Sequence, residues 1–275
     1  MAIDPFKANR ALWNARVPHH LASRMYDVEG FVAGRNSLTD LELELLGDVR
    51  GQQVLHLQCH FGQDTLSLAR LGAEVTGLDI SDTALEEARK LAARCGLDAR
   101  WVLSNVVDHQ PALDGAFDIV FSSYGTIGWL PDLAPWAANI RRYLRPATAG
   151  RPGGRFVFVE FHPVLWMFDN DFTRVAYSYF NREVIEEVDE GTYAERSAPI
   201  KLPSYSWNHG LGEVLSALQQ QGLRVERFTE LDGSPHDCFA NTVQGPDALY
   251  RINGMEGKLP MVYGLVATKP EVDRP

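Results

Sequence analysis

Residues 54–66, VLHLQCHFGQDTL, and residues 73–81, AEVTGLDIS, constrain this chain more than any other stretch. They predict a strand, a tight turn, a helix and a second strand that ends on an acid, Asp79. An apolar strand running through a turn into a helix sets backbone N–H groups and a helix N-terminus beside any bound anion, such as the carboxylate of an amino-acid-like ligand. An acid one strand over accepts hydrogen bonds from ribose hydroxyls. Together these elements make a nucleoside-binding half-site. A plainer role is also open to Asp79, capping the helix that starts near Ser81.

The alternation continues beyond this unit. A helix from Leu38, LTDLELELLGDV, precedes it, with Thr39 or Asp40 as its cap. Strand 53–57, helix 63–72, strand 74–79 and a helix over 81–96, opened by Ser81 or Asp82 and closed by Gly96, are followed by strands at 99–104 and 116–122. A helix at 132–145, a strand at 155–161, a helix at 208–222 and strands at 223–231 and 260–269 complete the pattern. The fold class is therefore α/β, a doubly wound Rossmann-like sheet. The core occupies 38–162 and 207–275. Residues 163–206, dense in aromatics and acids with little helical period, form a cap insertion after the fifth strand, and residues 1–37 form a lid of short helices.

Composition narrows the function. With 275 residues, 45% of them hydrophobic, the chain builds one large domain with an insertion. Lysine and arginine total 26 against 36 acids, a net charge of −10 that disfavours nucleic acid as a partner. Three cysteines in no framework spacing suit reduced thiols in a cytoplasm. The N-terminus MAIDPFKANR has no apolar signal region, and no long apolar run follows, so no membrane span is expected.

Two ligand classes share the strand, turn, helix and acid. Dinucleotides want G-x-G-x-x-G so that the backbone can approach a pyrophosphate. Here the turn is Gln58, Cys59, His60, Phe61 and Gly62, with a single glycine, and a pyrophosphate fits badly. The succession VLHLQCHFGQDTL, VTGLDIS, WVLSNVVD, FDIVFSSYGTIGWL, LRP and GGRFVFVEF resembles the class I S-adenosylmethionine-dependent methyltransferases, strongly over about residues 50–161 and more loosely over 207–269. That resemblance implies a seven-stranded mixed sheet whose last strand is antiparallel and inserted between the fifth and sixth. It implies S-adenosylmethionine as cofactor and S-adenosylhomocysteine as product. It assigns Leu57, Gln58, Cys59, His60 and Gly62 to the methionine moiety, Asp79 to the ribose and Ile80 to one face of the adenine. Asn105 and Val106 would meet the adenine edge, and Ser122 and Ser123 would line the path to the sulfonium. The family's D-x-G-x-G-x-G falls on His56, Gln58, His60 and Gly62, so the acid and two glycines are replaced.

Methyl transfer is an in-line displacement, in which the protein aligns the nucleophile and excludes water. An oxygen or nitrogen nucleophile also sheds a proton. His162, just after the fifth strand, and Tyr124 are the catalytic candidates. Tyr124 and Trp129 also suit a substrate wall, Trp13, Asn14 and Tyr26 a lid, and His209 a second base or a helix cap. Loop hydrogen bonding and ordinary packing beneath the cap are open to the same residues. His56, Cys59 and His60 are metal-ligating types, yet neighbouring strand residues point to opposite faces and no second cluster accompanies them, so no metal is expected. The aromatic cap suits a flat or apolar small-molecule acceptor, its acids a basic amine, and its exposed rings a homodimer equally well. The expected activity is methyl transfer to nitrogen or oxygen of a small molecule. An NAD-dependent oxidoreductase and a silent S-adenosylmethionine-binding protein are the alternatives.

Overall fold

The computed structural model describes residues 4–271, and the outermost residues of the expected 1–37 and 207–275 ranges lie outside them. Three helices lead in: α1 (Pro5–Ala22), α2 (Val28–Val32) and α3 (Asp40–Leu46). The first half of the core runs β1 (Gln53–Leu57), α4 (Gln63–Arg70), β2 (Glu74–Asp79), α5 (Asp82–Cys95), β3 (Arg100–Leu103), β4 (Ile119–Ser123), α6 (Leu133–Tyr143) and β5 (Arg155–Phe161). A two-stranded hairpin follows, β6 (Ile185–Glu190) and β7 (Lys201–Ser206), and then α7 (Leu211–Gln220) and β8 (Arg224–Leu231). A short hairpin, β9 (Thr242–Gln244) and β10 (Tyr250–Ile252), precedes the last strand, β11 (Val262–Thr268).

Seven strands form one sheet in the order β3-β2-β1-β4-β5-β11-β8. The first five are parallel, and β11 enters antiparallel between β5 and β8, as the family resemblance implies. Period-two alternation splits β1 between two cores. Leu55 and Leu57 face α6 and α7, packing with Trp136, Ile140 and Leu218. Val54 faces the opposite core with Leu45, Leu46 and Leu68. All these side chains are buried, and each contributes roughly 1.5–3 kcal/mol by leaving water.

The predicted caps are present. The Ser81 hydroxyl accepts from Ala84 N and Gly96 closes α5 in the left-handed region, while Thr39 and Glu42 form a reciprocal capping box on α3. Two segments differ from expectation. The N-terminal segment, expected as a lid of short helices, is dominated by one 18-residue helix, α1. Its apolar residues show no single stripe because it packs against α5 on one side and the β6–β7 hairpin on another. Between β8 and β11 the structure also carries a second insertion, residues 232–261, that the strand–helix pattern does not announce.

Gly77 on β2 is a close-approach position. A Cβ there would meet the Trp101 ring at 2.5 Å and Cys59 Sγ at 2.8 Å. Gly77→Ala is expected to destabilise by about 1–3 kcal/mol through overpacking. The check is a drop in the urea midpoint with an unchanged slope.

Candidate active site

The turn after β1 carries the site. Gln58, His60 and Gly62 have φ of 53°, 52° and 81°, so three alternate residues are left-handed although only one is glycine. Each non-glycine there costs on the order of 1–2 kcal/mol. Tertiary contacts hold the path. Cys59 N donates to Leu78 O (3.1 Å), His60 N to Asp79 Oδ2 (2.8 Å) and Gly62 N to Cys59 O (2.9 Å). Glycine persists at 62 for a second reason, since a Cβ would lie 2.4 Å from the Trp101 ring. Helix α4 begins at this glycine with no side-chain cap, leaving its first N–H groups free of a capping side chain.

Asp79 is buried at the end of β2, where its second oxygen accepts from Ser81 N (2.8 Å). Burial raises its pKa to about 6, opposed by these backbone donors. A carboxylate offers about four lone-pair sites. Two donors leave room for hydroxyls.

The displaced glycines have working side chains. Gln58 Nε2 donates to Thr126 O (2.8 Å), tying the turn to the loop after β4. The His60 ring stacks on Tyr26 (5.6 Å) and His20 (5.1 Å), with Trp13 edge-on at 5.5 Å. His60 Nε2 and His20 Nδ1 are 3.1 Å apart, a contact that one neutral ring must donate. Burial lowers His20 to about 3 and pushes His60 well below its ordinary value.

Helix α1 is buckled across this end. Buried Asn9 exchanges hydrogen bonds with the Tyr205 backbone of β7, at 2.8 and 3.0 Å. Arg16 pairs with Asp189 of β6, and the Tyr26 and Tyr193 hydroxyls are 2.5 Å apart. Asn14 accepts from Ser81 Oγ (2.6 Å) and donates to Asp82 (2.8 Å).

Across the sheet edge, Glu160, next to last in β5, is buried. It accepts from the backbone N–H groups of Gly125, Thr126, Ile127 and Phe161, and from the Thr126 hydroxyl. Burial still raises its pKa against all of those donors. Its signal is an acid inside the apolar strand RFVFVEF.

All of this encloses one cavity of 1420 Å³. Gln58, Cys59, His60, Gly62, Asp79, Ile80, Asn105, Val106 and Ser123 border it, as do Trp13, Tyr26, Tyr124, Trp129 and His209. Leu57 and Ser122 lie fully buried behind the wall. His162 is not brought there. Its Nδ1 accepts from Val164 N (3.2 Å) and its Nε2 stands 3.0 Å from Glu230, because the residue after β5 turns toward β8. His209 is engaged at both nitrogens, by Leu130 O (2.7 Å) and Glu213 (3.0 Å), so neither is open to a substrate. Tyr124, at φ 22°, shares a hydrogen bond with Thr39 (3.3 Å). Among the described residues no group of three or more His, Cys, Asp or Glu is arranged to hold a metal ion. Nor, among the described residues, is any helix long and apolar enough to cross a membrane. The second insertion contributes Pro235, His236, Cys238 and Phe239 to the wall, which the sequence pattern did not single out.

A methyltransferase-domain family model matches residues 54–147. An uncharacterized methyltransferase of Synechocystis sp. is 32% identical over 160 residues, covering 57% of this chain and 69% of that protein. The chain belongs to the class I S-adenosylmethionine-dependent methyltransferases. Among further relatives of this methyltransferase is the ubiquinone biosynthesis O-methyltransferase of Photorhabdus laumondii, 35% identical over 104 residues, which are 36% of this chain and 43% of that one. Two solved structures share the fold. An S-adenosylmethionine-dependent methyltransferase from Mesorhizobium loti has TM-score 0.56 at 22% identity, covering 86% of this chain and 99% of its own. Geranyl diphosphate C-methyltransferase from Streptomyces coelicolor has TM-score 0.58 at 15% identity, covering 98% and 100%. S-adenosylmethionine is the methyl donor of this enzyme family, and the nicotinamide alternative falls away.

Two expected outcomes test the scaffold of the site. Glu160→Gln removes acceptors from several buried N–H groups and should cost about 3 kcal/mol in urea unfolding. His20 takes a proton when unfolded and refuses it when folded, so its contribution is full above pH 6.5 and is lost as pH falls toward 3. His20→Phe should flatten that loss, by up to about 3 kcal/mol at pH 4.

Proposed function

We propose that this methyltransferase transfers its methyl group to an oxygen or nitrogen of a small molecule enclosed in the cavity. The observation that carries this is the continuity of one 1420 Å³ space from the turn at Gln58–Gly62 and Asp79 to an aromatic chamber at Tyr124, Phe161, Trp166 and Phe239. That exceeds the roughly 300–1,000 Å³ of a common small-molecule pocket, leaving space for two ligands. The O-methyltransferase relatives support oxygen as the nucleophilic atom.

The residues present fit the donor. Three left-handed positions keep the backbone path of a glycine-rich turn, α4 offers uncapped N–H groups, and Asp79 retains acceptor capacity. Gln58, Cys59, His60 and Gly62 would hold its amino-acid end, Asp79 its ribose, and Ile80, Asn105 and Val106 its adenine. Leu57 would support that turn from beneath. Ser122 and Ser123, with Tyr124, would border the approach of the acceptor. When bound, S-adenosylmethionine supplies a methyl carbon on a sulfonium, and the carbon–sulfur pair leaves with sulfur as neutral S-adenosylhomocysteine. Helix α1, the β6–β7 hairpin and the second insertion exclude water, and the rings of Trp13, Tyr26 and Trp129 close the wall.

Calorimetric titration with S-adenosylmethionine, S-adenosylhomocysteine and NAD tests the assignment. The two sulfur compounds should bind and NAD should not, and Asp79→Ala should weaken them at least tenfold, about 1.4 kcal/mol. Binding of NAD alone, or of nothing, sinks the proposal. Because the apo carboxyl titrates at about 6, affinity should hold above that pH and fall below it as protonation removes the acceptor.

A further inference from the structure

The second insertion places a histidine that none of these roles uses. His236 follows Pro235 in a turn held by buried Ser234, whose hydroxyl accepts from His236 N (3.1 Å) and donates to His236 O (2.8 Å). Ser234 is tied in turn to Tyr250 of β10 by backbone hydrogen bonds of 2.8 and 2.7 Å, so the small hairpin fixes the turn. The imidazole borders the cavity and meets the Tyr124 ring edge-on at 4.8 Å.

The other histidines of the wall each have at least one ring nitrogen engaged, although His56 Nε2 and His60 Nδ1 are buried without a partner. His56 bonds Thr65 (2.8 Å), His60 bonds His20, and His209 is held at both nitrogens. Among the described residues neither ring nitrogen of His236 has a hydrogen-bond partner. Burial lowers its pKa, which keeps the ring neutral and able to accept a proton. Two charged groups act on it from other elements, Asp64 of α4 and Arg35 after α2. The carboxylate favours an imidazolium, and the guanidinium opposes it.

The chamber beside it is built of rings. Tyr124 lies 5.4 Å from Phe161, Phe161 lies 4.8 Å from Phe239, and Phe239 lies 5.9 Å from Trp166. Such walls favour a planar aromatic ligand by offset and edge-on stacking.

Given the acceptor chamber proposed above, we infer that His236 is the proton acceptor of the transfer and that its substrate is a planar phenol seated against Tyr124, Phe161 and Phe239. The phenolic O–H bond breaks, with its proton passing to an imidazole nitrogen of His236. The oxygen lone pair forms the new bond to the methyl carbon as the carbon–sulfur pair goes to sulfur. His236 then returns the proton to water.

The test uses 4-methylphenol and 4-nitrophenol as acceptors with S-adenosylmethionine, comparing the full chain with His236→Gln. Affinity for S-adenosylhomocysteine, read by calorimetry, should stay within about twofold, since His236 lies outside the donor end. Turnover of 4-methylphenol should fall about 100-fold or more, the usual loss on removing a general base. The loss with 4-nitrophenol should be several-fold smaller, because that phenol gives up its proton to water more readily. Equal losses on both phenols, or no loss, would overturn the proton-acceptor role. A protein that binds S-adenosylhomocysteine yet methylates neither phenol would overturn the substrate class. Failure of the unaltered protein to bind S-adenosylhomocysteine removes the premise instead, and it is seen before any phenol is added. His236→Asn replaces the glutamine variant if the latter fails to fold.

Discussion

The carboxylate of Asp79 is the joint on which the site depends. One oxygen holds the N–H of His60 and the other the N–H of Ser81, so a single group ties the turn after β1 to the junction of β2 and α5. That turn runs through three left-handed residues, two of them with side chains, and such a path persists only where its surroundings over-determine it. Trp101 of the neighbouring strand fills the space behind Gly62 and Gly77. Strand, turn and helix are therefore locked by contacts from β2 and β3, from the loop after β4 and from the N-terminal segment.

Around this joint the protein builds walls from three separate segments. Helix α1 hydrogen-bonds the backbone of β7 through Asn9 and reaches the start of α5 through Asn14. The β6–β7 hairpin returns the contact through the Arg16–Asp189 pair, in which removing either partner would strand a poorly solvated charge. The segment between β8 and β11 closes the far side with Phe239 and His236. Each wall leans on another, so opening one end of the cavity loosens the others.

Electrostatics in this enclosure favour neutral histidines and costly carboxylates. His20, His56, His60 and His236 are all shifted downward, with burial the leading cause in each. Asp79, Glu160 and Glu42 are shifted upward for the same reason. Glu160 spends its buried oxygens on the loop after β4, which fixes Tyr124, Gly125 and Thr126 at the sheet edge. Glu42 lies at the capping box of α3, beside Thr39 and Tyr124. Low dielectric makes each of these groups sensitive to its partners.

Local pattern carries the sheet and the proposed donor end of the site. Alternating strands and helices, the Ser81 and Gly96 caps, and the turn ending at Gly62 with Asp79 beyond it are short-range features, so they can be read in order along the chain. The antiparallel insertion of β11 followed from resemblance, since a strand's partner is a long-range choice. The acceptor end was not readable in the same way. His162 sits in the expected place in the chain but turns toward Glu230, while His236, seventy-odd residues later, arrives beside Tyr124 through a hairpin with no periodic signal. α1 was hidden likewise, because a helix that touches several neighbours has no single apolar stripe. The amino-acid order determined the α/β core and the turn-and-acid unit proposed to hold the nucleoside, because those arise from periodicity and caps within a few residues. Packing of distant segments alone decided which side chains meet in the acceptor chamber, because their proximity depends on contacts between residues far apart in the chain.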